Sequence, residues 1–358
     1  MAHYLVVMTF RILSLSGGGY KGLYTAQFLA GLEAESGGVP LHRRFDLIAG
    51  TSIGGVLALA ISSGKTTMQD VVEAMSTHGT DIFGTKEPPT SKLGVFFDLI
   101  AHRAKPRYSA TPLRDLICKL VGNDTYIGDL KQKTIVPAVN VTKGSPQVFK
   151  TPHHESFQRD WKLPLVDVAL ATSAAPTFFP LHAVGNERFA DGGVYANSPD
   201  ELAVHEAQHF LGKNFGELEI LSVGTTTAKF SFPAKLASNM GYKDWLTDQR
   251  LISVMIAAQQ MNTDFMMRHR FGEKYFRVDS FPSSAQLPEM RLDNASANAS
   301  SDLKGLAEAS LRDHLPGLRA AGFFDYEAGE EDFLKKAELA DFFRNLRGEH
   351  GYRGQAIL

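Results

Sequence analysis

Hydrophobic positions along the chain alternate between short unbroken runs and longer, spaced ones. Phe10-Arg11-Ile12-Leu13-Ser14-Leu15-Ser16, Phe45-Asp46-Leu47-Ile48-Ala49, Thr134–Val141 and Glu219–Gly224 are too short for helices. They alternate too poorly for a sheet face open to water, as strands buried on both faces do. Between them, Leu23, Ala26, Leu29, Ala30 and Leu32 keep helical spacing up to Gly37-Gly38, and Val56–Ile61 reads as a small-faced helix. Thr67-Met68-Gln69-Asp70 is a capping box opening a helix to about His78. Thr111–Val121 carries Pro112 in its first turn and ends at Gly122, a helix with both boundaries marked. Strands alternating with helices in this way predict an α/β protein.

The second half continues the alternation less regularly. Pro137 inside the run at 134–141 predicts an edge strand or a bulge. Gln147–Lys150 reads as a short strand, Val166–Thr172 as a helix broken by Ser173-Ala174-Ala175-Pro176, and Ser198-Pro199 caps a helix to Gly212. Leu251–His269 is a long helix rich in Met255, Met261, Met266 and Met267, whose usual role is core packing. Tyr275–Val278 follows as a strand, then helical stretches at about Ser301–Asp313 and Asp332–Arg347. From Gly79 to Tyr108 the texture changes to prolines, Phe96-Phe97 and a basic cluster at His102–Arg107, a cover over a site or a surface loop packed by its own aromatics.

The chemistry gathers at two strand ends. The second strand runs into Gly50-Thr51-Ser52-Ile53-Gly54 and straight into a helix. This is the strand, sharp turn and helix of a nucleophile elbow, with Ser52 at the apex and glycines where strand and helix pass. The first strand ends in Gly17-Gly18-Gly19-Tyr20-Lys21-Gly22 before its helix. Gly17, Gly19 and Gly22 satisfy the dinucleotide fingerprint, but that fingerprint wants an acid at the end of the second strand, and Asp46 sits at its start. The competing reading makes consecutive glycine amides at a helix N-terminus a cradle for an oxyanion. Further along, Asp191-Gly192-Gly193 stands where a short strand ends, and its plain reading is a turn.

Composition narrows the classes. The 358 residues are 44% hydrophobic, enough for a packed core, and 37 basic against 39 acidic residues give a net charge of -2, which offers no general attraction to nucleic acid. One cysteine, Cys118, excludes an internal disulfide and argues against a cysteine-ligated metal; it reads as a small core residue. His153-His154 has no evident further ligand, and no metal is expected. Leu5-Val6-Val7-Met8 lacks a basic segment before it and the chain holds no membrane-length apolar run, so a cytoplasmic protein is expected.

Taken together in order, the glycine loop at 17–22, the Gly-x-Ser-x-Gly at 50–54 and Asp191-Gly192-Gly193 resemble the hallmarks of the patatin-like phospholipases. The block at Ser173–Pro176 and the segment Asn197–Pro199 are similar to that family as well, so the resemblance spans about Arg11 to Asp313. It implies a three-layer α/β/α sandwich with a mainly parallel central sheet. It also implies Ser52 as nucleophile, Asp191 as its base, Gly17, Gly18 and Gly19 as the oxyanion loop, and Gly22, Gly50, Gly54, Gly192 and Gly193 as supporting positions. A carboxylate base makes histidine unnecessary; the competing hydrolase triad would need His269 or His314, neither set in a motif.

Ile12–Gly31, the length and the lack of a secretion signal resemble the bacterial effectors of CBASS antiphage defence in particular. That likeness implies activation by a cyclic dinucleotide of the cGAMP type, made by a partner nucleotidyltransferase, and hydrolysis of phospholipids at the inner membrane. No nucleotide-binding motif is readable. Docking candidates are Phe96-Phe97, the His102–Arg107 cluster, and Phe230 with Phe232 beside Lys229. A phospholipase domain at 8–315 and a helical extension at 316–358 are the expected organisation.

Overall fold

The computed structural model of the chain describes residues 9–84, 105–226, 239–241, 244–245 and 250–346. Phe96, Phe97, His102, Lys229, Phe230 and Phe232 lie outside them. Among the described residues eight strands form one sheet: β1 Phe10–Leu15, β2 Leu47–Gly50, β3 Lys133–Asn140, β4 Ser145–Lys150, β5 His182–Val184, β6 Glu187–Asp191, β7 Leu218–Val223 and β8 Tyr275–Val278. The order is β5-β6-β3-β2-β1-β7-β8, with β4 also on β3. The pairs β1–β2, β1–β7, β2–β3 and β7–β8 are parallel, and the antiparallel pairs all lie on or beyond β3.

The helices are α1 Gly22–Glu35, α2 Ile53–Ser63, α3 Met68–Phe83, α4 Thr111–Val121, α5 Leu165–Thr172, α6 Gly193–Ala196, α7 Asp200–His205, α8 Arg250–Phe271, α9 Ala297–Ala320 and α10 Phe333–Leu346. Alternation along the strands decides where they pack. Leu13, Leu15, Ile48, Val136 and Val223 face a large core shared with α1 to α5 and α9. Phe10, Ile12, Leu47, Ala49, Ile135 and Ile220 face a smaller one closed by α7 and the C-terminal half of α8. Both faces of the sheet are covered, so the strands are buried on both sides and the three-layer α/β/α sandwich holds. Among the described residues no helix is long and apolar enough to cross a membrane.

Local signals work as the chain suggests at several boundaries. The Thr67 hydroxyl accepts from the Asp70 N–H (3.2 Å) and the Asp70 carboxylate accepts from the Thr67 N–H (3.1 Å), closing the capping box of α3, which continues past His78 to Phe83. Cys118 is half-buried against the large core. Two expectations need correction. Pro137 lies on an interior strand: β3 pairs with β2 through residues 133–135 and with β6 through 138–140, and the proline falls in the gap between them, where no ladder hydrogen bond is asked of it. In α8, Met267 is buried, while Met255, Met261 and Met266 are exposed.

The gap on β3 is what builds the site. β4 takes one edge of β3 from Ile135 to Asn140, so β2 and β6 share the other. Because β2 stops at Gly50 to make its turn, the edge beyond it is open, and β6 enters antiparallel with its last residue, Asp191, opposite Ala138. At the other end of the sheet, α9 runs through the expected boundary at 315 with Pro316 inside it, and the turn after it is fastened to the sheet by Arg11 and Arg44.

Candidate active site

β1 lies between β2 and β7, and the chain leaves it in opposite directions, so a crevice opens outside the carboxyl ends of these strands. The glycine loop follows β1, the serine turn follows β2, and Thr225 follows β7. All three meet there.

Ser52 holds φ 55° and ψ -126°, a conformation that costs a non-glycine residue about 1–3 kcal/mol. The turn is tight enough that side chains would not fit beside it: a Cβ on Gly50 would stand 2.1 Å from the Gly54 carbonyl oxygen, and one on Gly54 would stand 2.3 Å from that of Leu15. The strained serine is held from behind. Its N–H donates to Thr172 Oγ1 (2.9 Å), and that hydroxyl donates to the carbonyl of Pro137 (2.7 Å), in the gap between β2 and β6. The eleven-residue α2 starts at the next residue, so its positive end lies at the serine.

Asp191 comes to this serine through the β6 register. Ser52 Oγ donates to Asp191 Oδ2 at 2.7 Å, and the Gly193 N–H donates to Asp191 Oδ1 at 2.6 Å. Gly192 packs on the Pro137 carbonyl, 2.3 Å from where its Cβ would be, and Gly22 packs on Ile53. Asp191 is 5% exposed. Burial pushes its carboxyl up to about 6, against the two hydrogen bonds from Ser52 and Gly193 that favour the charged form. Neither candidate histidine takes part: His269 Nδ1 bonds the Phe265 carbonyl, and His314 lies between the carbonyls of Ser310 and Arg277. His153 is buried elsewhere, between Thr151 and Glu206.

The three glycines of the loop have different tasks. The Gly17 N–H donates to the Asn197 carbonyl (2.9 Å), and the Gly17 carbonyl accepts from Asn197 Nδ2 (3.1 Å) and Thr225 Oγ1 (3.0 Å). Gly17 is thus spent on shaping the loop. Gly19 has φ +57°, and a Cβ there would stand 2.2 Å from the Leu292 carbonyl oxygen. Among the described residues no acceptor takes the N–H of Gly18 or Gly19, and both residues line the cavity. Thr172, Asn197 and Thr225 carry no chemical signal in the sequence; only Asn197 stood in a segment singled out by resemblance.

A cavity of about 310 Å3 opens from this corner. Ser52, Asp191, Gly18 and Gly19 form its reactive end, Ser173 and Asn197 also line it, and most of the remaining wall is apolar, built by residues such as Ile82, Leu113, Phe178 and Met255. Phe83 anchors one wall, its ring 5.5 Å from that of Tyr108 and 6.1 Å from that of Phe179. A largely apolar pocket with reactive groups at one end suits a long apolar group carrying one polar bond.

Residues 13–204 match the family described as Patatin-like phospholipase. The chain belongs to that family. The patatin-like relatives include a "cGAMP-activated phospholipase" of Pseudomonas aeruginosa, 38% identical over 83% of this chain and 86% of that protein. One of the same description from Vibrio cholerae is 35% identical over 93% of this chain and 94% of its own length, and one from Escherichia coli is 34% identical over 82% and 86%. The patatin-like chain is therefore a hydrolase of lipid esters.

Proposed function

We propose that the chain is a serine-aspartate acyl hydrolase that cleaves fatty acyl esters of membrane phospholipids and is switched on by a cyclic dinucleotide of the cGAMP type in antiphage defence. The observation that carries the hydrolase is the 2.7 Å hydrogen bond from Ser52 Oγ to the buried Asp191 carboxylate, at the polar end of an apolar cavity.

In this mechanism Asp191 takes the Ser52 proton as the hydroxyl attacks the ester carbonyl. Its raised basicity narrows the gap between a carboxylate and an alcohol, which an exposed aspartate would leave wider. The oxyanion that forms is stabilised by the N–H groups of Gly18 and Gly19 and by the N-terminus of α2, with Gly17 holding the loop in place. The leaving alcohol collects the proton and departs, leaving an acyl-enzyme on Ser52. Water, deprotonated by Asp191, then attacks the acyl carbon, the bond to Ser52 Oγ breaks, and the proton returns from Asp191 to Ser52 as the fatty acid leaves.

Activation by a cyclic dinucleotide is supported by the three bacterial relatives of that description, which match more than four fifths of the chain each. A partner nucleotidyltransferase would supply the activator, and peripheral action at the inner membrane follows from the substrate. The decisive experiment measures fatty acid release from phospholipid vesicles with and without a panel of cyclic dinucleotides, for the wild type and Ser52→Ala. We expect release only with a cGAMP-type nucleotide and none from the variant. Full activity without any nucleotide would replace the regulated reading by a constitutive lysophospholipase or lipase, and activity surviving in Ser52→Ala would remove the nucleophile.

A further inference from the structure

Helix α8 carries apolar side chains on two faces. Its inner face, Ala257, Gln260, Met267 and Phe271, is buried, while Leu251, Met255, Met261, Phe265 and Met266 face water. Phe265 is 63% exposed and Met261 53%. At about 100° per residue these five side chains fall within a sector of about 140°, so they form a continuous stripe along roughly 22 Å of helix. Each side chain gains by leaving water, and contiguous apolar patches of this kind mark interaction surfaces.

Two features say what covers the stripe. Its N-terminal end is continuous with the cavity: Met255 is both exposed and part of the cavity lining, with Ile252 and Ile256 beside it. Its C-terminal end carries Arg268, His269 and Arg270, all exposed; Arg268 pairs with Asp264 (2.9 Å), and the Arg270 guanidinium lies 5.5 Å over the half-open ring of Phe215. An apolar band with cations at one end suits the interface of an anionic membrane, where side chains reach acyl level and guanidinium groups meet phosphates. A second copy of the chain would cover the band as well, but would make no use of its opening into the cavity.

We propose that the outer face of α8 docks on a phospholipid bilayer, so that an acyl chain passes from the membrane past Met255 to Ser52 without crossing water. This rests on reading the site as a phospholipid hydrolase. The test uses the full chain, with cGAMP present, and the double variant Met261→Asp/Phe265→Asp, two exposed positions outside the cavity. Binding to vesicles of phosphatidylethanolamine and phosphatidylglycerol is read by flotation in a Ser52→Ala background, and hydrolysis of a short-chain soluble ester is read with Ser52 intact.

The expected result is at least a tenfold loss of vesicle affinity with soluble-ester hydrolysis within twofold of wild type, and recovery of binding in Met261→Leu/Phe265→Leu. Vesicle binding unchanged by the aspartates overturns the proposal. So does a wild type that is dimeric through this face by sedimentation, with the variant monomeric and still binding vesicles. If the wild type binds vesicles through the stripe but releases no fatty acid from them, the docking face stands and the hydrolase reading falls.

Discussion

The two ends of β1 and β2 are built on opposite rules. At the carboxyl ends, Ser52 sits in a strained conformation, Gly18 and Gly19 offer N–H groups that no described residue takes, and a carboxyl is held in burial that raises it to about 6. At the amino ends the charged side chains are held by many partners. Arg11, 6% exposed, donates to Glu219 (3.0 Å) and to the carbonyls of Ala321, Gly322 and Phe323 (2.8–3.2 Å), and its guanidinium lies 4.6 Å over the Tyr326 ring. Arg44 donates to the carbonyls of Phe324, Tyr326 and Ser36, and Asp46 accepts from the Arg11 N–H and the Tyr326 hydroxyl. One pair of strands thus carries reactivity at one end and the fastening of the C-terminal segment at the other. Substitutions at the two ends should move different quantities.

Asp191→Asn breaks the comparison most sharply, because it should move both quantities in opposite directions. Without a base, fatty acid release falls by roughly a hundredfold to ten-thousandfold. Stability should rise. The Asp191 carboxyl titrates near 6 in the folded protein against 3.8 for the free side chain, so the folded state holds its proton longer than the unfolded state does. Below pH 4 both states are protonated and nothing is lost. Between 4 and 6 stability falls as pH rises, and above 6 the full cost, on the order of 3 kcal/mol, is present. Urea unfolding at pH 8 should therefore favour Asn by that order, with the difference shrinking toward pH 5. The wild-type activity should fall with pH below about 6, since only the ionised carboxyl is a base. A variant no more stable than wild type at pH 8 would mean that the carboxyl is not strained by burial.

Arg11→Ala tests the other end. It leaves Glu219 without its partner and three carbonyls without a donor, an expected loss on the order of 3 kcal/mol of stability. Activity per folded molecule at 20 °C should stay within twofold. Denaturant midpoints and active-site titration with a fluorophosphonate separate the two effects; a large fall in turnover at unchanged stability would dissolve the division between the ends.

Much of the reactive end was legible because its signals are local. A glycine loop after a buried strand, and a serine between glycines before a helix, are spelled within a few residues, as are the capping box of α3 and the ends of α4. Asp191 was reachable only through resemblance, because what brings it to Ser52 is the vacated edge of β3, a property of sheet order that no short segment contains. The same vacancy explains Pro137, read as an edge residue because a proline shows a missing ladder bond without showing which neighbour is absent. The methionines of α8 read as core in the sequence, because spacing gives a helix its faces without saying which face meets the sheet. Thr172 and Thr225 carry no readable signal, and Asn197 only a resemblance, for a related reason: elements distant in sequence converge here, Thr172 on the Ser52 turn and Asn197 with Thr225 on the Gly17 carbonyl.

The smallest expected effect asks how much of the reactive end depends on that convergence. The Gly17 carbonyl takes two donors, Asn197 Nδ2 and Thr225 Oγ1, and with its N–H also engaged by Asn197 the peptide plane leading into Gly18 is fixed. If that plane aims the Gly18 N–H at the oxyanion, loosening it should cost transition-state stabilisation and little else. Thr225→Val keeps the shape that packs against Gly18 and removes one donor, so kcat should fall by roughly 5- to 10-fold, about 1 kcal/mol, with KM and melting temperature nearly unmoved. Asn197→Ala removes the other donor and the wall behind Gly17 and Gly193, and should cost somewhat more. Thr225→Ser, which restores the hydroxyl, should restore kcat. A valine variant with full kcat would show that Asn197 alone holds the loop.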